Sequence, residues 1–107
     1  MSDIYGIENN LIQYFNERKD YVGPFLQTMR MAYDITQQEL SEATGYSVQT
    51  ISRIENGKAN PMGVAGHDIF EYLLKESGNS ENEILSEFSI FCSNMQAAEA
   101  YDERIAQ

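Results

Sequence analysis

The stretch TQQELSEATGYSVQTISRIENGKANP, residues 36–61, constrains the fold more than any other part of the chain. Thr36 followed by Glu39 is a capping box, in which the threonine hydroxyl and the glutamate carboxylate each satisfy a backbone N–H that a first helical turn leaves open. Leu40 and Ala43 supply the inward face of the short helix that begins there. Gly45 fits the sharp reversal that follows, where a positive φ would be costly for other residues. Ser47 is a good N-cap for a second short helix, whose apolar positions Val48, Ile51 and Ile54 are spaced three apart. Asn56 and Gly57 end that helix, and Pro61 closes the loop after it.

Helical periodicity extends on both sides. Ile7, Leu11, Ile12 and Phe15 mark an amphipathic helix over Ile7 to Arg18, and Lys19 to Pro24 reads as its break. Pro24 suits the first turn of a new helix, because its missing N–H would have had no partner there. That helix runs to about Tyr33 with Phe25, Leu26, Met29 and Tyr33 inward, and Asp34 and Ile35 link it onward. Beyond the loop, Val64 through Leu74 reads as helical, with Val64, Ile69, Phe70, Leu73 and Leu74 as core candidates and Gly63 and Gly66 blurring its start. Ser77-Gly78-Asn79 is a turn, and Ser80 with Glu83 repeats the capping box before a final helix over 80–107. Its apolar stripe of Ile84, Leu85, Phe88, Phe91, Cys92 and Met95, continued by Ala97, Ala98, Tyr101 and Ile105, divides between core packing and a dimer surface. No strand-like alternation is present, so the class is all-α.

A chain of 107 residues suffices for a single domain over 1–107 with one modest core. No apolar run approaches the length of a membrane span, and MSDIYGIENN lacks the pattern of a secretory signal. The lone Cys92 excludes a disulfide framework, is expected as a buried thiol, and fits a cytoplasmic setting. His67 stands alone among soft metal ligands and reads as a surface or helix-end residue. Ser41 and Ser52 have no histidine beside them in the motif to act as a base. Neither enzymatic activity, a metal nor a cofactor is expected.

The 36–61 stretch resembles the helix-turn-helix of phage repressors and Cro proteins, the Xre type. Thr36-Gln37-Gln38-Glu39-Leu40, Gly45, Ile51-Ser52-Arg53-Ile54-Glu55, Gly57-Lys58 and Pro61 fall at the family's spacing. The resemblance spans roughly Phe25 to Leu74 and implies a lambda-repressor-like bundle with its core over 24–75; an added N-terminal helical extension over 1–22 and the long C-terminal helix over 80–107 lie outside it. It implies that helix 47–55 enters the DNA major groove with Ser47, Val48, Gln49, Ser52 and Arg53 at base edges. Gln can pair with adenine, Arg with guanine, and Val can meet a thymine methyl group. It also implies phosphate contacts from Gln37, Thr50, Asn56 and Lys58, with backbone N–H groups around Asn56 and Gly57 joining the clamp. Arg30 and Glu55 match a structural ion pair, with a direct phosphate contact as the alternative for Arg30.

Charge is set against this reading. The net charge is -10, divided as -2 over residues 1–23, -1 over 24–60 and -7 over 61–107. Few cations remain to drive binding to phosphates, so weak monomer binding and dimerisation are expected. Two functions follow as expectations. One is a dimeric repressor, bacterial or phage-encoded, on a palindromic operator in double-stranded DNA. The other is an acidic inhibitor or adaptor that takes a basic protein partner or imitates DNA.

Overall fold

The structure, a computed structural model, describes residues 9–106. Six helices and no strand are found among them: α1 (Asn9–Glu17), α2 (Lys19–Ala32), α3 (Gln37–Thr44), α4 (Val48–Glu55), α5 (Val64–Ser77) and α6 (Glu81–Ala106). The all-α expectation holds. Ile7 lies outside the described residues, as do the side chains of Tyr101 and Ile105.

Both capping boxes form. Thr36 Oγ1 accepts from the Glu39 N–H while Glu39 Oε1 accepts from the Thr36 N–H, each at 3.0 Å. Ser80 and Glu83 make the same reciprocal pair at 2.8 and 3.2 Å. Gly45 reverses the chain between α3 and α4 with φ 84°.

α2 corrects the sequence reading. Residues 19–24 do not break the chain; a single helix runs from Lys19 through Gly23 and Pro24. Pro24, inside the helix, forfeits one ladder bond, the one to the Asp20 carbonyl, and the helix runs on through it. Gly23 is a packing residue: a Cβ there would stand 2.1 Å from the Ile54 carbonyl oxygen, so its absence lets α2 cross the end of α4 backbone to backbone. Gly66 does the same inside α5, where a Cβ would meet the Pro61 carbonyl oxygen at 1.8 Å.

α2 is the central element, packing against α1, α4, α5 and α6, while α3 packs against α4 and α5. Leu26, Leu40, Ile51, Ile54, Ile69 and Leu73 are buried around it. Two core candidates are corrected. Val64 is 70% exposed at the first position of α5, and Ala43 is exposed because Leu40 with Thr44, one turn on, fills the inward side of α3. The α6 stripe resolves by depth. Ile84, Phe88 and Cys92 are buried; Leu85, Phe91 and Met95 are half-buried; Ala97 and Ala98 face solvent. Phe88 joins the rest through ring contacts to Phe15 at 4.7 Å and Phe25 at 5.0 Å.

Candidate nucleic-acid interface

α4 is amphipathic over only eight residues, so each position is assigned clearly to one side. Ile51, Ile54 and Glu55 are buried, whereas Ser47, Gln49, Arg53 and Asn56 are exposed and Val48, Thr50 and Ser52 are half-exposed. The buried side is held at both ends. At the start, Ser47 Oγ accepts from the Thr50 N–H at 3.1 Å and lies 3.0 Å from Thr50 Oγ1. Tyr46, one residue earlier, donates from its hydroxyl to Asp68 Oδ2 at 2.6 Å and ties the turn to α5. That hydrogen bond, with a smaller effect of desolvation, raises the phenol above its ordinary pKa.

Beneath α4 lies a buried polar cluster. Arg30 Nε donates to Glu55 Oε2 at 2.7 Å and Arg30 Nη2 to Glu55 Oε1 at 3.1 Å, a two-pronged pair. Arg30 Nη1 also donates to the Ile35 carbonyl at 2.8 Å. Gln37, read from sequence as a phosphate contact, donates from Nε2 to Glu55 Oε1 at 3.0 Å. The cluster therefore joins α2, the start of α3 and the end of α4. An amide N–H₂ carries two hydrogens, so the bond to Glu55 leaves a second one.

At the far end of α4 the backbone corrects another expectation. The N–H groups of Asn56, Gly57 and Lys58 donate to the carbonyls of Ser52, Ile54 and Arg53 at 2.9, 3.2 and 2.8 Å. They close the helix and are not open to a phosphate. The polar groups left at this end are side chains. Asn56 Nδ2 donates to Ser52 Oγ at 3.2 Å, and Arg53 Nη2 donates to the Lys58 carbonyl at 3.2 Å.

Lys19 is a residue that sequence reasoning missed. Having been assigned to a break between helices, it lies instead at the start of α2 and lines a shallow groove of about 500 Å³ with Asp20 and with Gly57, Lys58 and Pro61. No local pattern announces this proximity, which the α2–α4 crossing creates. The opposing charge in this groove is Asp20, and Glu39 and Glu42 are exposed on α3. Glu39 is held below the usual carboxylate range by its capping bonds to Thr36.

Residues 26–63 match the family model described as Helix-turn-helix. This segment is similar to the Xre-type helix-turn-helix domains. The match covers a little over a third of the chain and takes in all of α3 and α4. The family is one of DNA-binding regulators. No curated protein and no solved structure is significantly similar to the chain.

Outside the helix-turn-helix face, His67 lies in the first turn of α5, at a helix end as the sequence reading allowed. Both its ring nitrogens are shut off from solvent, and it lines an apolar cavity of about 270 Å³ with Ile12, Phe15, Val22, Met62 and Phe70. Cys92 is a buried free thiol whose pKa is raised by desolvation. Among the described residues no group of His, Cys, Asp and Glu is placed to hold a metal ion, and no helix is long and apolar enough to cross a membrane.

Proposed function

We propose that the protein is a sequence-specific transcriptional regulator, a repressor that binds a short palindromic operator as a homodimer and occludes a promoter. The observation that carries this reading is the division of α4: Ile51, Ile54 and Glu55 hold the helix against the body while Gln49 and Arg53 stand out from it. Gln49 and Arg53 are the principal base readers, and Val48 and Ser52 flank them. Ser47 is a lesser contributor, since its hydroxyl is engaged in capping α4. The Gln37 amide keeps one hydrogen on Glu55 and turns the other to a phosphate, with Thr50, Asn56 and Lys58 as further backbone contacts. Two copies of α4 would enter successive major grooves about 34 Å apart.

Selection of bound fragments from random DNA tests the reading. A defined, two-fold symmetric site should be enriched, and the protein should sediment as a dimer on it. Gln49→Ala or Arg53→Ala should cost on the order of 1–3 kcal/mol at that site and relax base preference, whereas Lys58→Ala should weaken every sequence alike. Equal losses on operator and random duplex for all three would remove the base-reading roles.

A second reading draws on α6, which exposes Glu83, Glu87 and Glu99 together with Ile90, 62% exposed. In it the chain is an adaptor or inhibitor whose acidic helix takes a basic protein. Failure to enrich any DNA sequence, combined with capture of a basic partner that α6 substitutions abolish, would favour it.

A further inference from the structure

We infer that Arg53, Lys58 and Lys19 form one continuous track for a DNA strand, with Lys19 carrying a phosphate contact beyond the reach of the helix-turn-helix itself. This rests on the regulator reading and extends it to α2.

The argument begins with where the cations are. The chain has seven lysines and arginines, of which the side chain of Arg104 falls outside the described residues. Arg30 is sealed in its pair with Glu55. Arg18 pairs with Glu17 at 3.3 Å and rests 4.0 Å from the centre of the Tyr14 ring. Lys75 lines a different groove, beside Asp68 and Glu71. The remaining three converge. Arg53 reaches the Lys58 carbonyl at 3.2 Å, and Lys58 and Lys19 line the same groove.

Their meeting follows from the fold. Gly23 lets α2 cross α4 at Ile54, and Lys19, one turn before Gly23, is thereby set beside the residues that follow the end of α4. The track thus starts on the outward edge of the recognition helix and leads away from it. A duplex with its major groove on Gln49 and Arg53 presents a phosphate backbone along such an edge, and a row of cations neutralises successive phosphates with no need to read bases. Asp20, in the first turn of α2, lines the same groove and opposes the binding in part. With a net charge of -10, the protein has few other means of drawing DNA, so losing one of three aligned cations should be plainly measurable.

The test uses the full chain, the enriched duplex and a random duplex of equal length, with affinity followed over a salt series. Lys19→Gln should weaken both duplexes by the same factor and make the slope of log affinity against log salt shallower by about 0.9, the increment for one phosphate contact. Lys58→Gln should do likewise, the double variant should lose about twice as much, and Lys19→Arg should retain the wild-type slope. Lys75→Gln, off the track, should leave the slope unchanged. Circular dichroism of each variant establishes that it is folded. An unchanged slope in Lys19→Gln alongside a reduced one in Lys58→Gln overturns the track and leaves the regulator reading intact. If the wild type binds random duplex but selects no site, the regulator reading falls while the random-duplex slopes still decide the track. No binding to either duplex overturns both.

Discussion

At Gly23 the backbone of α2 comes so near Ile54 that one methyl group decides the geometry. The atom a Cβ would meet, at 2.1 Å, is a carbonyl oxygen in another helix, and a backbone cannot swing aside as a side chain can. Gly23→Ala should therefore push α2 and α4 apart and destabilise the fold by about 1–3 kcal/mol, read as a lower urea midpoint. An unchanged midpoint would mean that the crossing has room for a methyl group. Glu55, 2% exposed, presents a second single-residue test. Arg30→Met leaves its carboxylate buried beside Gln37 alone and should cost about 3–5 kcal/mol, while Arg30→Met with Glu55→Met should recover most of that loss. If the double variant is as unstable as the single one, the cost comes from lost packing and not from an uncompensated charge. The two sites differ in how far the sequence disclosed them. The family's spacing pointed to Arg30 and Glu55 as partners. Gly23 beside Pro24 instead suggested a turn, because a glycine needed for close approach looks the same in sequence as one needed for a left-handed backbone.

Elements with local stop and start signals were the legible ones. α3 and α4 lie where Thr36, Gly45 and Ser47 put them, and α6 begins beside Ser80, because a cap is a contact between residues three apart. α2 was misread at its start because the reason for Gly23, the Ile54 carbonyl it packs against, lies in α4, far along the chain. The caps have a consequence for acid stability. Hydrogen bonds from Thr36 and Ser80, backbone first, hold Glu39 and Glu83 below their ordinary value of 4.5. A carboxylate whose folded pKa is depressed stabilises the fold above its unfolded value, and that contribution is lost as pH falls through the folded one. The starts of α3 and α6 should consequently loosen as pH drops below about 4.5. Amide exchange in their first turns reports it, and Glu39→Gln should remove the pH dependence at α3 while leaving that at α6. Equal pH dependence at α3 in wild type and variant would place the titrating group elsewhere.

Taken as a whole, the molecule joins the helix-turn-helix to its flanking helices through aromatic side chains. Phe15 of α1 touches Phe70 of α5 at 5.0 Å and Phe88 of α6 at 4.7 Å, and Phe88 touches Phe25 of α2 at 5.0 Å. From sequence, the apolar stripe of α6 was open to two readings, core or dimer surface, since periodicity shows that a face is apolar without showing what covers it. Ile84, Phe88 and Cys92 are covered by the chain's own body, which among the described residues leaves Ile90 as the large apolar side chain of α6 that stands in solvent. Because Phe88 touches Phe25 on α2, the helix that runs into the family-matched segment, α6 and the helix-turn-helix should unfold together. Phe88→Ala should cost about 3–5 kcal/mol, a large share of the 5–15 kcal/mol that typically holds a domain. The loss should be shared. Hydrogen exchange at the slowest amides of α4 should accelerate by the same factor as at those of α6, and thermal melting should remain a single transition at lower temperature. Acceleration confined to α1 and α6, with α4 protected as before, would show instead that the helix-turn-helix folds independently and that the two outer helices are attached to it, not part of its core.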